Sequence, residues 1–441
     1  MIFFYHLISL IATILIVPLF SLSSVLSKHK WKGLIHHFGW VPAKNRPAKK
    51  TLWVHALSMG EVFAATPILE QLREQNRELY IAFSVTTDSG YTTAIKLDTV
   101  DSVFFHPLDC LPFTQLALSR INPDLYVVTD TGFWPGLIDL LHRKSIPALL
   151  FNGRISQRSA KRYLRAGSLF KDTFQKFRQL CMQNTNGKKA VLALGAQQEQ
   201  IEVIGDPKYD ALQPMNNKEV QQLRKSFHLK AETPVWIAGS THAGEEEIIL
   251  DAHRQLLAKH PKLVIILAPR RMERVEEITT LIKKKGFSFS RRSLLEHIKS
   301  PSVILLDTMG ELARVYSLGQ IAFIGNSLVQ PGGGHSLIEP LSYGLPVLHG
   351  SYVENIGHVS EMAHRQGLAF QVTSFETLEK KVSALLENKS QRLEIAEKST
   401  IFIAQQQGAS KKMVAIINKY LKVQSPNQNN SIPLNKTHFT V

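Results

Sequence analysis

The chain carries only two cysteines, Cys110 and Cys181, in 441 residues. Their spacing suits neither a metal site nor a disulfide framework, which points to a reducing compartment. No D-x-D, H-E-x-x-H or G-x-x-x-x-G-K-[ST] stretch occurs. Neither a tightly held catalytic metal nor a Walker-type phosphate loop is therefore expected. Negative charge is scarce, with 36 Asp and Glu against 52 Lys and Arg, for a net charge of +16. Such a surface attracts polyanions, and nucleic acid, anionic membrane and a phosphorylated substrate all suit it.

Residues 2–20 contain no Lys, Arg, Asp or Glu, and Lys28, Lys30, Lys32, Lys44, Arg46, Lys49 and Lys50 follow. The run approaches the roughly 20 residues that span a bilayer core. The positive-inside tendency then places everything after it in the cytoplasm. Residues 1–27 are accordingly read as an anchor. A cleaved signal peptide fits less well, because no basic residue precedes the run and no A-x-A site follows it. An interfacial helix, marked by His6 and Pro18, is the other membrane reading.

From Thr51 on, short apolar β-rich runs alternate with longer amphipathic stretches, the signature of parallel sheets covered by helices. Strands are expected at Leu52–His55, Leu79–Val85, Val103–Phe105, Leu125–Thr129, Ala148–Asn152, Gln179–Met182 and Ile201–Ile204. A second series is expected at Val235–Ala238, Leu263–Ala268, Val303–Leu306, Ile321–Ile324 and Val347–Leu348. The polar segment Asp210–Thr233 separates them. The fold class is α/β, with two Rossmann-like domains, 28–212 and 213–421, facing an interdomain cleft. Helices at 375–421 close the second domain, and the polar stretch 422–441 reads as a disordered tail.

The segment Gly325–Pro346 is a strand end, a glycine-rich loop and a short helix with Glu339 four residues after His335. Glycines admit a ligand close to the backbone, and helix-start amides favour an anion. A tight turn explains the glycines equally well. In the first half a strand ends at His55, and Glu61 opens the next helix after Ser58-Met59-Gly60. Its carboxylate either complements the helix dipole or removes a proton from an incoming hydroxyl. The second role needs desolvation to outweigh the pKa-lowering helix start. Arg154, Ser156 and Arg158, with Lys161, Arg162 and Arg165, follow another strand end and suit a phosphate-bearing acceptor or a solvated helix face. Four loops of the second half, at 239–245, 269–274, 307–312 and 331–339, all follow strands and should converge.

The motifs Trp53–Glu61, Asn152–Ser159, Gly205–Asp210, Ala238–Glu246, Met309–Leu312 and Gly333–Pro340 together resemble the Kdo transferases of lipopolysaccharide synthesis. The resemblance implies a membrane-anchored, inverting GT-B glycosyltransferase of the inner membrane's cytoplasmic face. It would move 3-deoxy-D-manno-oct-2-ulosonic acid (Kdo) from CMP-Kdo to a lipid A precursor, lipid IVA. It implies Glu61 as general base, with Asp130 as a second acid. It places CMP contacts on Lys208, Ser240, Thr241, Pro269, Arg270, Met309, Gly310, Glu311, Gly334, Ser336 and Glu339, and the acceptor near Arg154, Ser156 and Arg158. No metal, further cofactor or nucleic-acid partner is implied. Two positions depart from the family pattern: Ser336 stands for the Asn of G-G-H-N-P-L-E, and Gly132 for the second Glu of E-T-E-x-W-P-N. A UDP-sugar transferase or 2-epimerase of the same fold, and a membrane-tethered nucleotide-binding protein without catalysis, are the alternatives.

Overall fold

The computed structural model describes residues 1–26, 33–45, 47–130, 132–155, 157–165, 168–294 and 301–423. It divides into two compact units, Met1–Ala211 with the chain from Gln407 on, and Leu212–Gln406.

In the first unit seven strands run parallel: β1 (Lys50–Ala56), β2 (Leu79–Val85), β3 (Ser102–Phe105), β4 (Leu125–Thr129), β5 (Ala148–Gly153), β6 (Gln179–Met182) and β7 (Ile201–Val203). Their order is β3-β2-β1-β4-β5-β6-β7. β2 and β4 are buried along their whole length, as expected of strands covered on both faces. Neighbouring residues serve opposite cores because side chains alternate along a strand. Trp53 and Tyr126 pack with Leu137 and Phe174 on one face, while Leu52 and Val54 pack with Val62, Leu69 and Leu72 on the other.

The second unit repeats the plan with β8 (Val235–Thr241), β9 (Val264–Pro269), β10 (Phe289–Arg291), β11 (Val303–Leu305), β12 (Ile321–Ile324), β13 (Val347–His349) and β14 (Ala369–Gln371). The order β10-β11-β9-β8-β12-β13-β14 puts the reversal of direction between β8 and β12, the switch point where such sheets take ligands. The twelve expected strands are present. The edge strands β10 and β14, Phe-Ser-Arg and Ala-Phe-Gln, carry too short an apolar signal to be read.

Two expectations change. The helices expected at 375–421 do not all close the second domain: the last, Ala409–Val423, belongs to the first unit. Met413, Val414, Ile416, Ile417 and Leu421 join Val62, Leu69 and Leu72 in one core. Its periodicity defines an apolar face without saying which sheet that face covers. Asp210 secures the return, its carboxylate accepting the amides of Gly408 and Ser410 at 2.6 Å each, while the Gln407 amide donates to the Tyr209 carbonyl.

The spanning anchor is not supported: among the described residues no helix is long and apolar enough to cross a membrane. The first helix, Ile2–Leu26, is continuous and carries Tyr5, His6, Ser9 and Pro18 along its length, and its start docks on the first unit. Tyr5 donates to Asp109 at 2.6 Å, and His6 lies 3.5 Å from Asp139. Phe3, Phe4, Ile8, Ile14 and Leu15 stay exposed. The tail from residue 424 lies outside the described residues.

Replacing Asp210 by Ala strips the helix start at 409 of both side-chain acceptors. Loss of a capping carboxylate costs about 1–2 kcal/mol. Hydrogen exchange over 409–423 should accelerate, and unchanged protection would show that core packing alone holds this helix.

Candidate active site

Glu61 lies in the first turn of the helix Met59–Gln75, which starts where β1 ends. The Ser58 hydroxyl makes no cap bond. Instead the Glu61 carboxylate reaches back past it, and Oε2 accepts the Leu57 amide at 2.6 Å and the Thr129 hydroxyl at 2.9 Å. Burial pushes the carboxyl up to about 7. The Leu57 amide opposes the rise, the charge of Asp130 adds to it, and Thr129 and Arg154 pull downward. Desolvation thus outweighs the helix start, and Glu61 has the proton affinity of a base working near neutrality.

Asp130 follows β4 with a left-handed φ of 60°, held by its amide bonding the Phe151 carbonyl at 2.8 Å. Its buried carboxylate accepts Arg154 Nη2 at 2.5 Å and Nε at 3.2 Å. Arg154, expected to bind acceptor, is therefore engaged by an internal acid. Ser156 and the side chain of Arg158 lie outside the described residues.

Asp206 belongs to the same group. Burial raises its carboxyl, the Lys208 amide and the charges of Lys208 and Arg154 oppose this, and Asp130 adds to it. Sequence reasoning passed over Asp206, although it stands two residues before Lys208 in the Gly205–Asp210 motif. Lys208 itself is exposed, its amide bonding Asp206 Oδ1 at 3.0 Å. Among the described residues no three His, Cys, Asp or Glu side chains group as metal ligands. At Gly132 a Cβ would stand 2.8 Å from Leu57 Cδ1 and 2.9 Å from Val128 Cγ2. Apolar side chains thus close around the position where the family pattern has an acid.

In the second unit, Ser240 adopts φ 58° and Thr241 is buried at the end of β8, its hydroxyl unpartnered. Pro269 ends β9, and the Arg270 amide bonds the Thr241 carbonyl at 3.0 Å, joining these two loops. Met309 is exposed and Gly310 takes φ 82°. Glu311 forms a bidentate pair with Arg292, at 3.0 and 3.2 Å, and accepts the Thr308 hydroxyl. Its carboxylate thus ties the loop after β11 to the segment that follows β10. The Gly334 amide bonds the Asn326 carbonyl at 2.6 Å. Ser336 accepts the Ile338 amide at 3.2 Å, serving as a local turn.

Glu339 sits in a helix that begins only at Ile338. The helical relation expected between His335 and Glu339 therefore fails. His335 pairs instead with His242, Nε2 to Nε2 at 3.0 Å.

Glu245, the last residue of the loop expected at 239–245, opens the helix Glu245–Lys259. It is fully buried, and its two oxygens accept four amides, those of His242, Asn326, Ser327 and Leu328, at 2.7–2.9 Å. One carboxylate therefore ties the loop after β8 to the loop after β12. The approach is close: a Cβ on Gly325 would stand 2.3 Å from the Ser240 carbonyl oxygen.

These two parallel-sheet units place the chain in a GT-B-like fold class. UDP-GlcNAc 2-epimerase from Neisseria meningitidis, solved with UDP-GlcNAc bound, matches 85% of this chain and all of that chain with a TM-score of 0.59. At 14% identity the likeness concerns fold alone. Residues 32–211 match the family model of the 3-deoxy-D-manno-octulosonic-acid transferase (kdotransferase). The chain is 35% identical to the 3-deoxy-D-manno-octulosonic acid transferase of Haemophilus influenzae, over 95% of this chain and 99% of that one. It is 30% identical to that of Aquifex aeolicus, over 80% and 90%. The chain belongs to the 3-deoxy-D-manno-octulosonic acid transferase family, and with it to the glycosyltransferases.

Replacing Glu245 by Gln would turn an amide group toward backbone donors. Leaving buried donors unmatched costs about 1–3 kcal/mol. The denaturation midpoint should fall and exchange at 326–328 should quicken; an unchanged midpoint would mean the two loops hold without this carboxylate.

Proposed function

We propose that this chain moves Kdo from CMP-Kdo to the lipid A precursor lipid IVA in a single inverting displacement, with Glu61 as general base. The observation that carries the reading is the half-buried Glu61 carboxylate, raised to about 7 and held by Leu57 and Thr129 at the carboxyl end of β1. Glu61 takes the proton of an acceptor glucosamine hydroxyl as that oxygen attacks the anomeric carbon. The bond from that carbon to the phosphate oxygen breaks, and its electron pair leaves with CMP. Charge builds on one phosphate, which the exposed guanidinium of Arg270, after β9, receives. No metal is invoked in this reading.

Asp130 and Arg154 flank Glu61 as a paired acid and base and act on it electrostatically. The net charge of +16 and the exposed apolar residues of the helix Ile2–Leu26 support work at the cytoplasmic face of the inner membrane, with that helix resting at the bilayer surface.

Glu61→Gln should lower kcat by about three orders of magnitude or more, since both proton removal and carboxylate charge are lost. CMP affinity should stay intact. Measured with CMP-Kdo and a tetra-acylated lipid A precursor, activity retained within tenfold would remove Glu61 from the base role.

In wild type, activity should fall as pH drops through about 7, where Glu61 takes up its proton. Asp130→Asn removes an upward push and frees Arg154 to pull downward. The acid limb of kcat/KM should therefore move to lower pH by about one unit. A limb that stays in place would uncouple the two acids.

A further inference from the structure

The helix Ile2–Leu26 presents its residues in the reverse order of a helix seated on an apolar core. Ile2, Tyr5, His6, Ser9, Ala12 and Thr13, spaced by three and four, form its less exposed face. Phe3, Phe4, Ile8, Ile14 and Leu15, on the other side, are 62–70% exposed. The inner face is thus mostly polar or small, and the outer face is large and apolar. Such an outer face suits the acyl boundary of a bilayer. The basic residues that follow in the chain, from Lys28 to Lys50, suit anionic headgroups beside it.

Polar contacts hold the inner face. Asp109 lies in the connection between β3 and the helix Leu111–Ile121. Its carboxylate accepts the Tyr5 hydroxyl at 2.6 Å and the amides of Gly136 and Leu137 at 2.8 and 2.7 Å. Those amides open the helix Pro135–Arg143, where Trp134 makes no side-chain cap bond. One carboxylate therefore caps that helix and holds the first one. The approach is close: a Cβ on Gly136 would stand 2.8 Å from Asp109 Oδ1 and 3.2 Å from His6 Cε1.

Trp134 and Gly132 carry the connection on toward Glu61. The Trp134 ring stacks on His106 at 4.8 Å, and His106 lies 4.0 Å from His55 of β1, centroid to centroid. Gly132 packs against the Leu57 side chain, and the Leu57 amide bonds the Glu61 carboxylate.

We infer that a phospholipid surface on the outer face of the first helix steadies Asp109 through Tyr5, and with it the segment 132–137 that supports Leu57 and Glu61. Tyr5 and Asp109 are positioning residues, and neither touches the reacting atoms. The inference rests on the bilayer placement and the Glu61 role of the preceding subsection. It adds that the bilayer raises turnover as well as recruiting the protein.

The full chain is mixed with vesicles of phosphatidylethanolamine and phosphatidylglycerol. In wild type, exchange at the Gly136 and Leu137 amides should slow about threefold or more on vesicle binding. Tyr5→Phe keeps the outer face, so it should bind vesicles as wild type does and show no slowing. Phe3→Ser combined with Ile8→Ser should abolish vesicle binding and leave exchange without vesicles unchanged. A deacylated, water-soluble glucosamine disaccharide phosphate is not concentrated by vesicles, so a mere tether leaves its turnover unchanged. With it as acceptor, vesicles should raise wild-type kcat about threefold at constant acceptor KM, and not that of Tyr5→Phe.

Vesicle binding without slower exchange would reduce the helix to a tether and overturn the inference. Slowing retained in Tyr5→Phe would overturn it as well. So would sedimentation as a dimer with no vesicle binding, which would assign the outer face to a second copy of the chain. Exchange is read without turnover, so a wild type inactive on every acceptor would count against Kdo transfer while the exchange result still decides the coupling.

Discussion

Every strand pairing in both sheets is parallel, and that constraint carries the rest of the structure. Parallel strands need a crossover, so the strands of a sheet leave through loops at the same edge, and helices make most of the returns among the described residues. Residues far apart in the chain are thereby delivered side by side. Thr129, at the end of β4, bonds Glu61, which follows β1. Asn326, after β12, bonds Glu245, which follows β8.

The acids beside the strand ends divide by how their charge is met. Glu245 is answered by four amides, and Glu246 and Asp130 by arginines at 2.7 and 2.5 Å. Among the described residues Glu61 receives one amide and one hydroxyl, both on a single oxygen. A carboxylate left so incompletely compensated keeps a high proton affinity. That difference marks Glu61 as the acid able to exchange a proton, although like Glu245 and Glu246 it stands in the first turn of a helix.

Much of this organisation was legible in the chain. The apolar runs of Leu79–Val85 and Leu125–Thr129 match their strands residue for residue, because strands buried on both faces leave an uninterrupted signal. Three-residue edge strands leave almost none. Loop residues were legible as loops, but their partners were not. Nothing local distinguishes Glu245, which binds two loops together, from its neighbour Glu247, and nothing local pairs His242 with His335 across 93 positions.

By itself the sequence determined the alternation of strands and helices, the two sheets, the positions of the catalytic-type loops and the family resemblance. Those properties depend on side-chain period and local residue order. Only the tertiary structure decided that the helix Ala409–Val423 covers the first sheet, that the first helix docks through Tyr5 and His6, and that Arg154 is engaged by Asp130. It also decided the raised affinity of Glu61 for its proton. Each depends on which distant groups exclude water from a surface or a charge, and desolvation is a property of the folded surroundings that no local pattern of residues encodes.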